Sequence, residues 1–318
     1  MTVAATTAPP GCVHETGFYG SDEELLAITM PFLAGGLEAG EPTIVALDGP
    51  HSDLVRSALG DVKGLTYLSS SGYARPAATL QQLRRWVVEG VDAGAERVRV
   101  VGDMPHPGVG VPWDWWCRYE ATVNHALADV PLWGLCPYDT RIAPDYVLAD
   151  AAATHPFLAM TDGTHVVNDR SEPPDRFLAR RPAAPPDPFE ARPPAVALIG
   201  PSAAEARHAV ADLAQRSCLE PVTIENLVVG VSESVANANA HGRPPVELRA
   251  WAVPDRMVVT VTDRGTGPED PYVGLLPGRT SPEGTGGLGM WITFQLCDDV
   301  VLARRDDGFT VRLVAGRP

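Results

Sequence analysis

From residue 43 onward, short apolar runs alternate with longer amphipathic stretches. TIVALD (43–48), GLTYLSS (64–70), RVRVVGDM (97–104) and PLWGLCPYD (131–139) are apolar enough to predict strands buried on both faces. Helical patterns lie between them, over 51–59, in ATLQQLRRWVVEGVDAG and in WDWWCRYEATVNHALAD. A further helix, SDEELLAITMPFLAGGLEAG, is predicted ahead of the first strand, with Ser21 as its cap and acidic residues following. Strand and helix in alternation predict an α/β unit with a mainly parallel, Rossmann-like sheet under helices. Ligands of such sheets sit beyond the carboxyl ends of the strands. Those ends carry Asp48, Asp103 with Met104, and the segment from Cys136 to Asp139. No phosphate-binding glycine motif follows any of these strands.

Prolines then interrupt the pattern. SEPPDRFLARRPAAPPDPFEARPP, residues 171–194, is predicted to carry neither helix nor central strand, because each proline lacks a backbone donor and restrains its predecessor. It reads as a semi-rigid, extended linker between a first domain over 12–170 and a second over 195–318. In the second domain two helices come first, near 202–217 and 222–240. Alternating strands VELRAWAV and RMVVTVTD follow, joined by a turn at Pro254-Asp255. A glycine-rich segment leads into a helix near 288–297, and the hairpin VVLARRDDGFTVRLVA closes the chain. Helices segregated from a mostly antiparallel sheet predict an α+β sandwich.

The helix over 222–240 has a polar side that carries chemistry. Ile224, Leu227, Val228, Val231, Val235 and Ala238 fall within about 100° of arc, the width of a core-facing stripe. Glu233 and Asn237 lie nearly opposite, roughly 40° apart and one turn from each other, so they can share a ligand. By themselves the pair would read simply as a solvated helix face, and only the downstream context changes that. Downstream, RMVVTVTD ends in Asp263-Arg264-Gly265-Thr266-Gly267, by itself an ordinary turn. Gly284-Thr285-Gly286-Gly287-Leu288-Gly289 then opens the last helix, where bare backbone amides and the positive end of the helix dipole suit a phosphate chain. This segment lacks the Lys-Ser/Thr ending of a P-loop and does not follow a first strand as a dinucleotide fingerprint does.

Composition restricts partners and compartment. A formal charge of -15 over 318 residues disfavours nucleic acid and anionic lipid as direct partners. No apolar stretch approaches the roughly 20 residues of a membrane span, and the start, MTVAATTAPPG, lacks the order of a signal peptide, so the expected location is cytoplasmic. Cys12, Cys117, Cys136, Cys218 and Cys297 are scattered, odd in number and free of any CxxC pair, which predicts reduced thiols.

Taken in order, Glu233 and Asn237 on a helix, Asp263-x-Gly265-x-Gly267, a Gly/Pro-rich loop and Gly284 to Gly289 on a helix resemble the ATP-binding domain of the GHKL superfamily, with its Bergerat-type sandwich. Within it the chain looks most like the anti-sigma-factor serine kinases of the RsbW and SpoIIAB type, whose helix commonly reads close to SELVTNAxxHG; SESVANANAHG follows it at Ser232, Glu233, Asn237, His241 and Gly242. The resemblance implies ATP and Mg²⁺ as cofactors. It assigns Asn237 to the magnesium ion, and Glu233 as general base toward a protein serine that attacks the γ-phosphate. It makes Asp263 the acceptor of the adenine amino group, with Gly265 and Gly267 allowing close approach. Gly284, Thr285, Gly286, Gly287, Leu288 and Gly289 would cradle the phosphates, and Thr310 would line the adenine pocket, although strand packing explains it equally. His241 is also accounted for by the helix dipole. The loop PEDPYVGLLPGRTSPE is either a nucleotide lid or simply irregular.

The first half, through HETGFYGSDEELLAITMPFLAGGLEAGEP, WCRYEATVNHAL and PLWGLCPYD, looks like the MEDS sensory domain found joined to GHKL-type ATPase domains in bacterial regulators. That resemblance implies a sensor of small organic molecules, with His14, Tyr19, Asp103, Glu120, Cys136 and Tyr138 as pocket candidates. Each has a plain alternative as a satisfied core histidine, a surface acid or a small buried hydrophobe. Trp113, Trp115 and Trp116 read as core or interface.

The combined expectation is an anti-sigma factor and serine kinase that binds a sigma factor, phosphorylates a STAS-type antagonist and is modulated by the first domain. The alternative is a non-catalytic nucleotide-binding switch that sequesters a regulatory partner. A two-component histidine kinase would need a dimerising helix with a phospho-accepting histidine where the prolines lie. Enzymatic chemistry in the first domain is not supported, since no nucleophile, base and orienting group can be placed there. Related kinases are often dimers. Trp251, facing away from the main strand stripe, would mark such a homodimer contact or cover the helices.

Overall fold

The computed structural model describes residues 2–3, 11–60, 62–68, 75–182, 184–278 and 287–316. They form two compact units, Met1–Arg180 and Arg181–Pro318.

In the first unit the elements run β1 (Thr2–Val3), β2 (Val13–Tyr19), α1 (Asp22–Glu38), β3 (Thr43–Ala46), α2 (Gly49–Leu59), β4 (Leu65–Tyr67), α3 (Pro76–Asp92), β5 (Val98–Gly102), α4 (Asp114–Ala126), β6 (Leu132–Asp139), α5 (Asp145–Thr154), β7 (Phe157–Ala159), β8 (His165–Val167) and α6 (Pro174–Ala179). The sheet order is β1-β8-β7-β2-β6-β5-β3-β4. Strands β2 to β7 pair in parallel, and β8 and β1 complete the sheet antiparallel. The expected α/β unit with a mainly parallel sheet is thus observed. Val45, Val101 and Leu135 stack in its centre, and Leu25, Phe32 and Leu33 of α1 close one face over them. Ser21 caps α1 as expected, accepting from the Glu24 amide at 3.2 Å.

Strand β2 was not foreseen, and its place corrects the reading that α1 precedes the first strand. β2 lies between β6 and β7, with Glu15 opposite Leu135. Its sequence, VHETGFY, conceals it, because His14, Glu15 and Thr16 are polar yet buried. Their polar atoms are satisfied inside: Glu15 accepts from Trp133 Nε1 at 2.8 Å and faces His165 Nδ1 at 2.7 Å, and Thr16 donates to the Cys136 carbonyl at 2.7 Å. Helix α6 is a second correction, since it forms within residues where prolines were expected to forbid a helix. Its proline, Pro174, stands in the first turn, where an amide donor has no partner to lose, and fully buried Phe177 anchors it.

The second unit runs β9 (Val196–Ile199), α7 (Ala203–Ala214), α8 (Pro221–His241), β10 (Glu247–Val253), β11 (Arg256–Asp263), α9 (Leu288–Leu296), β12 (Asp299–Arg305) and β13 (Gly308–Gly316). All pairings in the sheet β12-β13-β11-β10-β9 are antiparallel, as the α+β reading requires. Edge strand β9 escaped notice because Val196–Ile199 is short and alternately exposed. On α8 the apolar stripe meets the sheet through Leu227, Val231 and Val235, each at most 1% exposed. Helix α9 lies along α8, and Gly230 permits the approach: a methyl there would stand 2.6 Å from Cys297 Sγ. Gly230→Ala is therefore expected to destabilise this unit by about 1–2 kcal/mol through overpacking, read as a lower urea midpoint.

The other face of the sheet is covered by the end of the proline-rich segment. Asp187 caps a 3₁₀ turn, Pro188–Ala191, accepting from the Phe189 amide at 2.9 Å, and Glu190 Oε1 accepts from the Asp187 amide at 2.8 Å. Arg256 clamps Asp187 at 2.6 Å, while Arg305 and Arg312 hold Glu190 at 3.1 and 3.2 Å. Phe189 packs on Trp251, Val258 and Val314, and the Trp251 indole donates to the Arg192 carbonyl at 2.9 Å. Trp251, expected to mark a homodimer contact or to cover the helices, lies under this strap on the opposite face of the sheet from the helices.

Candidate functional sites

On α8, Glu233 and Asn237 face α9 and are only half-buried. Neither side chain makes a hydrogen bond among the described residues. Gly289, in the first turn of α9, comes so close that a methyl in its place would stand 2.5 Å from Glu233 Oε2 and 3.2 Å from Asn237 Nδ2. The surface here is a seam against bare backbone rather than a solvated helix face. Gly287 caps α9 with φ 109°, left-handed and without a side-chain cap, so the first amides of α9 open beside Glu233.

Asp263 ends β11 with 5% of its surface exposed. Its Oδ1 accepts from the Gly265 amide at 2.6 Å and the Arg243 amide at 3.0 Å, which fixes the carboxylate and leaves Oδ2 for a ligand. A methyl on Gly265 would stand 2.6 Å from that Oδ1, and one on Gly267, at φ 72°, would stand 2.3 Å from the Phe309 ring. Arg304 ties the turn down through the Thr266 and Pro268 carbonyls. Gly242, five residues past Asn237, backs onto the same Asp263 carboxyl, so helix end and strand end share one corner.

Thr310 is a correction. In the β11–β13 register it opposes Thr262, and the two hydroxyls lie 2.9 Å apart; Asp263 opposes Phe309 on the other face. Because neighbouring strand residues point to opposite faces, Thr310 points away from Asp263. It lines a groove on the strap side with Glu247, Arg249, Thr260 and Thr262. Gly284, Thr285 and Gly286 lie outside the described residues. Of the loop after Gly267, the described part packs on α9: Leu275 is fully buried, and a methyl on Gly274 would stand 2.5 Å from the Phe294 ring.

The first unit holds a second constellation, inside the sheet. His14 on β2, Glu120 on α4, Cys136 on β6 and His155 at the end of α5 are all buried, and one ligand atom from each lies within 4.8 Å of all the others. Glu120 Oε2 is 3.1 Å from both His14 Nε2 and His155 Nε2, and Cys136 Sγ is 3.6 Å from His14 Nε2. Tyr138 donates to Glu120 Oε1 at 3.0 Å. Burial and the second imidazole, 4.0 Å away ring to ring, hold His14 below the usual histidine range. Burial would raise Glu120, but His155 and His14 outweigh it and hold the carboxyl well below the usual range. Burial, reinforced by Glu120, pushes the Cys136 thiol and Tyr138 phenol well up.

At the carboxyl end of the strands a third group forms. His51 Nδ1 lies 3.1 Å from Asp48 and 3.2 Å from Asp103, and Tyr19 OH is 3.3 Å from His51 Nε2. The Asp103 hydrogen bond raises His51 above the usual range against the opposing effect of burial. A histidine raised in the fold adds stability below its unfolded pKa, and that stability is lost as pH rises through the folded value. His51→Gln is accordingly expected to cost more stability near pH ~5.5 than near pH ~8.5, on either side of the usual histidine pKa, measured by urea unfolding at the two pH values.

Comparison with known families settles what the two units are. The model for the "MEthanogen/methylotroph, DcmR Sensory domain" matches residues 13–156, and the model for the "Histidine kinase-like ATPase domain" matches residues 198–315. The chain is a MEDS domain joined to a GHKL-type ATPase domain. No curated protein matches it. Solved structures similar to part of it include two histidine kinases. The histidine kinase domain from the Erythrobacter litoralis EL346 blue-light activated histidine kinase is 23% identical with a TM-score of 0.24, covering 37% of this chain and 61% of that one. The mycobacterial sensor histidine kinase MprB is 25% identical with a TM-score of 0.22, covering 29% and 73%. The chain thus spans about three-fifths of the first structure's length. Among the described residues no helix is long and apolar enough to cross a membrane.

Within the ATPase domain the described site residues gather at two neighbouring points, the seam of Glu233, Asn237 and Gly289 and the corner of Asp263, Gly242 and Gly265. A carboxylate and an amide group that make no hydrogen bond among the described residues, facing a bare helix start, fit a hard cation and phosphate oxygens, so Asn237 and the first amides of α9 would hold Mg²⁺-ATP. The MEDS candidates divide: His14, Glu120, Cys136 and Tyr138 meet in the interior, whereas Tyr19 and Asp103 join His51 at the strand ends. His155 was missed. It sits in ATHPF just after α5, and no sequence spacing links it to His14.

Proposed function

We propose that the chain is a bacterial regulatory protein, an ATP-dependent anti-sigma factor and serine kinase acting on a STAS-type antagonist, with a small organic ligand at the MEDS domain modulating the choice. The placement of Glu233 carries this reading. The residue is half-buried, makes no hydrogen bond among the described residues and lies beside the amide-rich start of α9, where a phosphate-directed base must stand. In the proposed reaction Glu233 takes the proton of the attacking serine hydroxyl. Asn237 orients the phosphate end, and Asp263 reads the adenine amino group. Bound magnesium would supply charge neutralisation at the phosphates.

The test is transfer of radiolabel from γ-labelled ATP to candidate STAS proteins, with ATP binding followed in parallel. Wild-type protein is expected to label the antagonist, and Glu233→Ala to bind ATP without labelling it. Equal transfer by Glu233→Ala would overturn the catalytic assignment. Tight nucleotide binding with no transfer by the wild type would leave the sequestering switch as the correct account.

A further inference from the structure

We propose that His14, Glu120, Cys136 and His155 form a buried site for one transition-metal dication of the zinc type inside the MEDS domain. Four donors come from β2, α4, β6 and the residue after α5, so the fold, not a local motif, assembles them. A tetrahedral ion with bonds of ~2.0–2.3 Å separates its ligands by about 3.3–3.7 Å. The observed 3.1, 3.1 and 3.6 Å need shifts of a few tenths of an ångström, and the other three pairs, all within 4.8 Å, need at most about one ångström more closure.

The hydrogen bonds around the cluster orient both imidazoles as ligands. His155 Nδ1 is 2.7 Å from the Ala151 carbonyl, which can only accept, so that nitrogen bears the hydrogen. Asn124 Nδ2 donates to the Thr154 carbonyl at 2.6 Å, which turns Oδ1 toward His14 Nδ1 at 3.3 Å and assigns the hydrogen there too. Both rings therefore present Nε2 to the interior, the tautomer that metal-bound histidines adopt when a carbonyl or amide oxygen holds Nδ1. Tyr138 occupies Glu120 Oε1 and leaves Oε2 pointing at the same place. Glu120 Oε2 and His155 Nε2 are fully buried and have no hydrogen-bond partner; their separation of 3.1 Å is not matched by an aligned donor.

Without an ion this arrangement is poorly compensated. Both Nε2 atoms protonated would set two cations 4.0 Å apart around one carboxylate; neither would set two lone pairs against an anionic oxygen; and one would pair the carboxylate on one side only, leaving the other lone pair facing it. A dication resolves all three. It binds the two neutral Nε2 atoms, the Glu120 carboxylate and Cys136 as thiolate, whose proton leaves to solvent. Charges of +2, −1 and −1 then sum to zero, as burial demands. Two imidazoles, one thiolate and one carboxylate favour zinc or cobalt over magnesium or calcium.

The full chain, without a polyhistidine tag and stripped by chelator, is the material for the test. Titration with Co²⁺ is expected to give a thiolate-to-cobalt charge-transfer band and intense tetrahedral d–d bands that saturate at one equivalent and vanish on adding Zn²⁺. Cys136→Ser should lose the charge-transfer band, and Cys218→Ser, altering an exposed thiol, should keep it. X-ray absorption on the Zn²⁺-loaded wild type is expected to show one sulfur and three nitrogen or oxygen neighbours, a readout that stands even if the Cys136 variant does not fold. No band in the wild type, a band that survives in folded Cys136→Ser, or a zinc shell without exactly one sulfur would each overturn the site.

Discussion

Asp263→Asn is expected to weaken Mg²⁺-ATP binding by about tenfold to 150-fold, corresponding to the 1.5–3 kcal/mol of a hydrogen bond to a charged group. The substitution is nearly isosteric. Its Oδ1 can still accept from the Gly265 and Arg243 amides, now at 2.6 and 3.0 Å, so the turn survives. The change falls on the other branch, where an NH₂ replaces an oxygen. A donor would then meet the donor amino group of adenine, and a buried group that should be paired would not be. Calorimetric titration of the purified variant measures the effect, and unaltered urea unfolding shows that the fold is kept. Affinity within threefold of wild type would remove Asp263 from the base-reading role.

The second large effect is expected from Glu120→Ala, at about 3–5 kcal/mol of lost stability in the MEDS domain, the range for removing one member of a buried charged set. The truncation leaves the Tyr138 hydroxyl without its acceptor at 3.0 Å and removes the carboxylate that faces both His14 and His155 at 3.1 Å. It also opens a cavity where the side chain was fully buried. Urea unfolding followed by tryptophan fluorescence and circular dichroism should show an early transition for this unit. A midpoint equal to wild type would mean that the cluster relaxes at no cost and that Glu120 is not its centre.

Much of the ATPase domain could be read from the chain because its chemistry is local. Glu233 and Asn237 sit one turn apart, Asp263 precedes two glycines at fixed offsets, and Gly287 to Gly289 begin a helix. Thr310 misled because a motif position says nothing about which face of a strand a residue occupies; only its register with Thr262 does. The MEDS domain was harder for the opposite reason. Its central strand is written in polar residues, and its interior cluster is assembled by pairing that sequence does not reveal: β2 beside β6 brings Thr16 opposite Cys136, and the end of α5 delivers His155. His14, Glu120 and Cys136 were visible as residue types, but their convergence on one point is a property of the sheet.

The strap over the ATPase sheet bears on how this half of the molecule can be studied alone. A fragment begun at residue 195, where the strands and helices of the domain start, would strip Phe189 from Trp251 and deprive Arg256, Arg305 and Arg312 of Asp187 and Glu190. Its bared tryptophan face would invite self-association at a surface that the strap otherwise covers. A fragment begun at Arg181 keeps its own lining.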